Sequence, residues 1–303
     1  MSTRGSGSQT IQKIAVIGAG TMGHGIAQVA GASGFQVLLR DVDRESLARG
    51  IRAIEKNLEK GVRLGKLTAE DCDRTLQQIR GTTSLEECVA ADLVIEAAPE
   101  KLELKQDILR QLESASDHAF IFASNTSSLS ITEIARTSTR PEYVVGMHFF
   151  NPVHLMRLVE IVVGAQTSDE TVKAVTEVGA RLRKEPIIVK DVPGFASSRL
   201  GVALGLEAMR MVEQGVASAS DIDKAMELGY NHPMGPLKLT DLVGLDVRLS
   251  IAEYLYRELA SETFRPPEVL RRMVSEGKLG KKTGAGFYDW PEKKEDAIQS
   301  QTS

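Results

Sequence analysis

Lys13-Ile14-Ala15-Val16-Ile17-Gly18-Ala19-Gly20-Thr21-Met22-Gly23-His24-Gly25 runs from an apolar stretch straight into a glycine-rich turn. Ile14 to Ile17 is short, apolar and largely β-branched, which reads as a strand covered on both faces. Gly18-x-Gly20-x-x-Gly23 follows, and then Met22, Ile26, Val29 and Ala30 recur at helical spacing. Strand, glycine turn and helix in that order are the context of a dinucleotide-binding fingerprint. Gly18 allows the tight turn, Gly20 lets a pyrophosphate approach the backbone, and Gly23 lets helix and strand pack closely. The helix N-terminus then offers unpaired N–H groups and a partial positive charge to the phosphates, so Gly18, Ala19, Gly20, Thr21, Met22 and Gly23 are candidate cofactor contacts.

A second strand, Gln36-Val37-Leu38-Leu39-Arg40, ends at Asp41. Asp41 lies about 20 residues beyond the glycines, where a carboxylate accepts the adenosine ribose hydroxyls. That acid repels a 2′-phosphate and favours NAD over NADP, although Arg40 and Arg44 flank it. The plainer reading of Asp41 is an ordinary acid after a strand.

The chain has 303 residues, which predicts two domains or one large α/β domain. Hydrophobic residues make up 42% and charged ones 26%, the balance of a water-soluble globular protein. The net charge of −4 gives no field that attracts nucleic acid or an anionic membrane. No apolar run reaches the ~20 residues that cross a bilayer. Residues 1–10 are rich in Ser, Gly and Thr and lack the apolar core of a signal peptide; they and residues 291–303 are expected to be flexible tails. Cys72 and Cys88 have neither metal nor redox spacing, which points to a reducing compartment, with the cytoplasm as the expected location.

After Asp41, Leu47, Ile51, Ile54 and Leu58 mark one amphipathic helix. Thr68-Ala69-Glu70-Asp71 caps a second, which carries Leu76 and Ile79. A helical hairpin over about residues 45–80 is therefore expected between the second and third strands. Arg49, Arg52, Lys56, Lys60, Arg63 and Lys66 make its outer face basic, either a solvated surface or a landing strip for substrate phosphates.

Further strands read at Leu93–Ala98, Phe120–Ser124 and Val144–Phe150, separated by helical stretches, which predicts βαβ units and a mostly parallel sheet. Ligands of such sheets sit at the carboxyl ends of the strands. Gly18, Asp41, Glu100, Ser127 and His148 all fall at or just past strand ends. The segment Leu155 to Val163 alternates and places Glu160 among Met156, Leu158 and Val162. A carboxylate in that setting needs a hydrogen-bonded partner. His148, on the preceding strand of a hairpin, is the nearest titratable candidate. A carboxylate behind an imidazole fixes its tautomer and stabilises its protonated form, giving an acid–base unit suited to neutral pH. His154, on a loop, competes with His148 for that role; His24, His118 and His232 read as turn or surface residues, and no histidine pair has metal-ligand spacing.

A helix over Asp169–Leu182 and a strand at Ile187–Val189 precede the turn Asp191-Val192-Pro193-Gly194-Phe195. Beyond Ser197 the strand signal vanishes. The expected division is a nucleotide-binding α/β domain over 11–193 and a smaller all-helical domain over 194–290.

These residues resemble the short-chain 3-hydroxyacyl-CoA dehydrogenases, including bacterial 3-hydroxybutyryl-CoA dehydrogenases. The likeness runs from about Lys13 to Asp289. It rests on Gly18-Ala19-Gly20-Thr21-Met22-Gly23, Ala123-Ser124-Asn125-Thr126-Ser127-Ser128, Gly146-Met147-His148-Phe149-Phe150-Asn151-Pro152, Asp191-Val192-Pro193-Gly194-Phe195, His232-Pro233-Met234-Gly235-Pro236 and Gly280-Lys281-Lys282-Thr283-Gly284. The resemblance implies a Rossmann-like sheet with an inserted hairpin, NAD as cofactor, an acyl-CoA substrate and a homodimer formed through the helical domain. It implies His148 as catalytic base and Glu160 as the carboxylate that orients it. It assigns Ser127 to substrate and nicotinamide, Asn151 to the nicotinamide, and Glu100, Lys105 and Lys282 to further cofactor contacts. The basic hairpin matches the arm that meets coenzyme A. Two positions depart: Ser198 stands where many relatives carry a substrate-binding asparagine, and Asn57 where some have a serine that meets coenzyme A. Ser198 keeps a donor and an acceptor on a shorter side chain. The implied reaction is reversible oxidation of an L-3-hydroxyacyl-CoA to the 3-oxoacyl-CoA. The alternatives are a related 3-hydroxyacid dehydrogenase on a free acid, and a non-catalytic NAD-binding structural or sensor protein.

Overall fold

The computed structural model describes residues 10–291. Of the expected tails only Thr10 and Pro291 belong to these; the rest lies outside the described residues. Two compact units divide between Val192 and Pro193.

The first unit is a single eight-stranded sheet with helices. In chain order it contains β1 (Lys13–Ile17), α1 (Thr21–Ala32), β2 (Gln36–Arg40), α2 (Arg44–Arg63), α3 (Ala69–Gln77), β3 (Ile79–Thr82) and β4 (Leu93–Glu96). There follow α4 (Leu102–Ala115), β5 (Ile121–Ser124), α5 (Ile131–Ala135), β6 (Val144–Phe149), β7 (Leu158–Val163), α6 (Asp169–Arg181) and β8 (Glu185–Lys190). The spatial order is β3-β2-β1-β4-β5-β6-β7-β8. The first six of these strands are parallel, β7 runs against β6, and β8 runs with β7. The order reverses at β1, the switch point beside which such sheets bind ligands. Ile14, Ala15, Val16, Leu93, Val94 and Ile95 are all fully buried, so β1 and β4 are covered on both faces.

Two local expectations are corrected. The hairpin does not run to about residue 80: α3 ends at Gln77, and Ile79 opens the edge strand β3. An edge strand buries little, so Ile79-Arg80-Gly81-Thr82 carries no apolar run to announce it. The strand holding Glu160 begins at Leu158, not Leu155. The amides of Leu155 and Met156 both turn back onto the carbonyl of Pro152, and both side chains are exposed.

The second unit is helical: α7 (Ser197–Glu213), α8 (Ala219–Gly229), α9 (Pro236–Val243), α10 (Leu245–Leu259) and α11 (Glu268–Ser275). Val202, Leu206, Met209, Leu237, Leu255 and Leu270 form its core. Asp223 and Asp241 are almost completely buried and tie the unit together. Asp223 accepts from the amides of Leu237 and Lys238 at the start of α9. Asp241 accepts from the amides of Phe287 and Tyr288 and from the Trp290 indole.

Candidate active site

The glycine turn has the geometry that a dinucleotide needs. Gly18 sits at φ +97°, and a Cβ there would stand 2.6 Å from the carbonyl oxygen of Ala97. A Cβ on Gly23 would stand 1.6 Å from the carbonyl oxygen of Gly18, so α1 can approach β1 only because that atom is missing. A Cβ on Gly20 would meet nothing within 4 Å. Gly20 is the N-cap of α1 and no side chain caps the helix, so the turn presents backbone N–H groups to open space. Asp41 is drawn against the same turn: its Oδ2 accepts from the Ala19 amide at 2.7 Å and its Oδ1 from the Val42 amide at 2.6 Å. The observed cradle therefore fits a nucleotide with a free ribose diol.

Past β4 and β5 a second cluster forms around one buried cation. Glu96, the last residue of β4, is fully buried, and Lys105 on α4 is 1% exposed. Lys105 Nζ donates to Glu96 Oε1 at 2.7 Å and Oε2 at 3.0 Å, and lies 3.4 Å from Glu100 Oε2. Ser124 Oγ donates to Glu96 Oε2 at 2.6 Å and the Ala98 amide to Oε1 at 2.6 Å. Glu100 Oε1 in turn accepts from Thr126 Oγ1 at 2.5 Å and from the amides of Ser127 and Ser128 at 3.0 and 3.2 Å. Burial pushes the Glu100 carboxyl up, but Lys105 and the hydrogen bonds from Thr126 and Ser127 outweigh it and hold the group below its ordinary range. Glu100 and Ser127 are thus in contact. Lys105 reaches them from beneath, its ammonium committed to Glu96. Glu96 was not singled out from the sequence. The signal that marks Glu160, an acid inside an apolar strand, was present in Leu93-Val94-Ile95-Glu96 as well.

The β6–β7 register sets His148 opposite Glu160. His148 is 7% exposed and Glu160 fully buried. His148 Nδ1 and Glu160 Oε2 are 2.7 Å apart. A carboxylate only accepts, so the Nδ1 proton points to it and the basic lone pair belongs to Nε2. The Phe150 ring packs against the imidazole, with centroids 4.5 Å apart. Asn125, beside Ser127 in the turn after β5, accepts from the Phe149 amide at 2.9 Å and ties the serine turn to the histidine strand. Asn151 lies two residues past the end of β6 and is exposed; its bond to Pro152 is cis.

His154 has different surroundings. It is exposed, and partial burial of its ring, then Lys184, His24 and Lys60, push its pKa down. The basic residues Arg52, Lys56, Lys60 and Arg63 are exposed along α2, whereas Arg49 pairs with Glu45 at 2.5 Å. Asn57 Nδ2 donates to the buried Gln28 at 3.3 Å. Two candidate residues lie on the helical unit. Ser198 is in the first turn of α7, and Lys282 Nζ donates to Asp246 Oδ1 and Oδ2 at 2.6 and 2.7 Å. Among the described residues no group of three or more His, Cys, Asp or Glu could hold a metal, and no helix is long and apolar enough to cross a membrane.

Comparison with known proteins matches residues 13–192 to the NAD-binding domain of 3-hydroxyacyl-CoA dehydrogenase and residues 194–290 to its C-terminal domain. A probable 3-hydroxybutyryl-CoA dehydrogenase of Deinococcus radiodurans is 48% identical over 278 residues, covering 92% of this chain and all of the relative. Its counterpart in Bacillus subtilis is 44% identical over 283 residues, covering 93% of this chain and 99% of the relative. The crystal structure of (S)-3-hydroxybutyryl-CoA dehydrogenase from Ralstonia eutropha is 42% identical. It superposes with a TM-score of 0.90 and covers 93% of this chain and 100% of its own. With the glycine cradle, the acid that flanks it and both family domains present end to end, the chain belongs to the NAD-dependent 3-hydroxyacyl-CoA dehydrogenases.

Proposed function

We propose that His148 and Glu160 are the acid–base pair of this dehydrogenase. The observation that carries the proposal is the 2.7 Å contact between His148 Nδ1 and the buried Glu160 carboxylate. In the oxidative direction His148 Nε2 takes the proton of the C3 hydroxyl. Glu160 holds the ring in the tautomer that leaves Nε2 basic and stabilises the imidazolium that forms. NAD, when bound, supplies the hydride acceptor. Ala19, Thr21 and Met22 would meet the pyrophosphate beside the three glycines, with Asp41 on the adenosine ribose. Glu100, fixed to the amides of Ser127 and Ser128, sets where the Ser127 hydroxyl can meet substrate and nicotinamide. Asn151, next to the histidine strand, lines the nicotinamide side. Lys105 acts by holding Glu100 and the Ala98 carbonyl rather than by meeting the cofactor, because its ammonium is already engaged with Glu96. Ser198 and Lys282 keep the substrate and cofactor roles that the family resemblance assigns them.

The substrate is an L-3-hydroxyacyl-CoA, with 3-hydroxybutyryl-CoA as the first to try, and the basic face of α2 serves the phosphates of coenzyme A. The helical unit exposes Leu200, Leu228 and Tyr230 at 72%, 84% and 75%, apolar area suited to a homodimer contact. A cytoplasmic setting suits two cysteines kept reduced. A spectrophotometric assay with acetoacetyl-CoA and NADH tests the reading. Loss of NADH absorbance with the thioester, and none with free acetoacetate, is expected. Turnover of the free acid alone contradicts it, and no turnover of either favours a non-catalytic protein.

A further inference from the structure

Lys184 sits between α6 and β8 and is buried. Burial pushes its pKa down, and among the described residues no carboxylate pairs with it. Its ammonium is committed to carbonyls instead: Nζ donates to that of Val153 and, at 2.8 Å, to that of Met156. Taking a cation out of water without a counter-charge is costly. The backbone leading to it is costly as well. Leu182 caps α6, and Arg183 follows at φ +58°, in the left-handed region that favours glycine. The Arg183 amide turns back to the Ala180 carbonyl and the Lys184 amide to that of Gly179. This closed cap fixes the point from which the lysine side chain leaves. Local strain that the surroundings hold in place marks positions with a task.

What Lys184 holds is the turn between β6 and β7. The amides of Leu155 and Met156 both bond to the Pro152 carbonyl, and Lys184 closes the turn through the carbonyls of Val153 and Met156. His154, Leu155 and Met156 are exposed, so side-chain packing orders little of it. The exception is Val153, buried against α1: a methyl group on Gly25 would stand 2.9 Å from its Cβ. The turn therefore joins the strand of His148 to the helix whose first turn completes the glycine cradle. Asn151 is the exposed residue from which the turn starts. An exposed side chain takes its position from the backbone that carries it, so whatever fixes the turn fixes Asn151.

We propose that Lys184 is a positioning residue for the nicotinamide side of the site: it clamps the turn from Pro152 to Met156 by two carbonyls and so sets where Asn151 stands. This rests on the reading that Asn151 lines the nicotinamide side. The test takes Lys184→Met, Asn151→Ala and the double variant through three measurements. In the cofactor-free protein, amide hydrogen exchange at Leu155 and Met156 quickens about tenfold in Lys184→Met and is unchanged along β1. The dissociation constant for ADP-ribose, which reaches the glycine cradle but has no nicotinamide, stays within about twofold. A misplacement near 1 Å costs up to about 10²-fold in rate, so kcat with acetoacetyl-CoA and NADH falls about tenfold or more. The double variant is no slower than the slower single variant by more than about twofold, because both changes remove one effect. Lys184→Gln, which keeps a donor for one carbonyl, falls between, and it decides if Lys184→Met does not fold. Unchanged exchange at Leu155 and Met156, unchanged kcat, or additive losses in the double variant each overturn the proposal. ADP-ribose affinity that falls in step with kcat also overturns it, because a structural lysine would loosen the whole cradle. Wild-type turnover in Asn151→Ala alone refutes the reading of Asn151 on which the proposal stands.

Discussion

Replacing Glu160 by glutamine removes one charge and keeps the shape of the side chain. Glu160 is fully buried, 2.7 Å from His148 Nδ1. The amide still accepts a hydrogen bond, so the ring keeps its orientation, but the imidazolium formed during oxidation loses its counter-charge. A hydrogen bond to a charged group contributes about 1.5–3 kcal/mol, and each ~1.4 kcal/mol is a decade in rate, so kcat falls roughly 10- to 150-fold. The Km for NAD should change little, because Glu160 lies on β7 and the glycine cradle on β1, with β4, β5 and β6 between them. Stopped-flow traces of NADH formation give kcat, calorimetric titration gives NAD affinity, and a thermal melt verifies folding. A folded variant with kcat within about twofold of the wild type would refute the role given to the carboxylate. A parallel loss of NAD affinity would instead mark Glu160 as a structural residue.

Other expectations follow from single contacts. Lys105→Met leaves Glu96 buried without its cation and should lower unfolding stability by about 3–5 kcal/mol in urea; a loss under about 1 kcal/mol contradicts the ion-pair reading. Gly23→Ala places a methyl 1.6 Å from the Gly18 carbonyl oxygen. It should abolish NAD binding and cost more than about 3 kcal/mol, and calorimetry showing normal affinity would be incompatible with the cradle. Glu100 has a depressed folded pKa, so its stabilisation is complete above the unfolded value of 4.5 and is lost as pH falls through the lower folded value. Glu100→Gln should remove that acid limb from urea midpoints measured between about pH 6 and pH 3, and identical profiles for both proteins argue against it.

Much of this was legible in the sequence for physical reasons. Ile14–Ile17 and Leu93–Ile95 are central strands, whose composition is dictated by burial on both faces, so apolar runs announce them. Glu160 stood out because a lone acid in an alternating apolar segment demands a partner, and the antiparallel register supplied His148. The edge strand β3 was illegible because burial did not select its residues, and Gly81 there leaves room for the Leu47 side chain of α2. Glu96 carried a readable signal but sat at a strand end, where an acid looks solvated until Lys105 is seen to fold back over it.

The most direct test of the account is the turnover of His148→Gln with 3-hydroxybutyryl-CoA and NAD, set beside its NAD affinity. A group that takes the proton contributes about 10²-fold or more, so kcat should fall by at least that factor while the dissociation constant for NAD stays within about threefold. Near-normal turnover in a folded, NAD-binding variant would show that the proton leaves by another route.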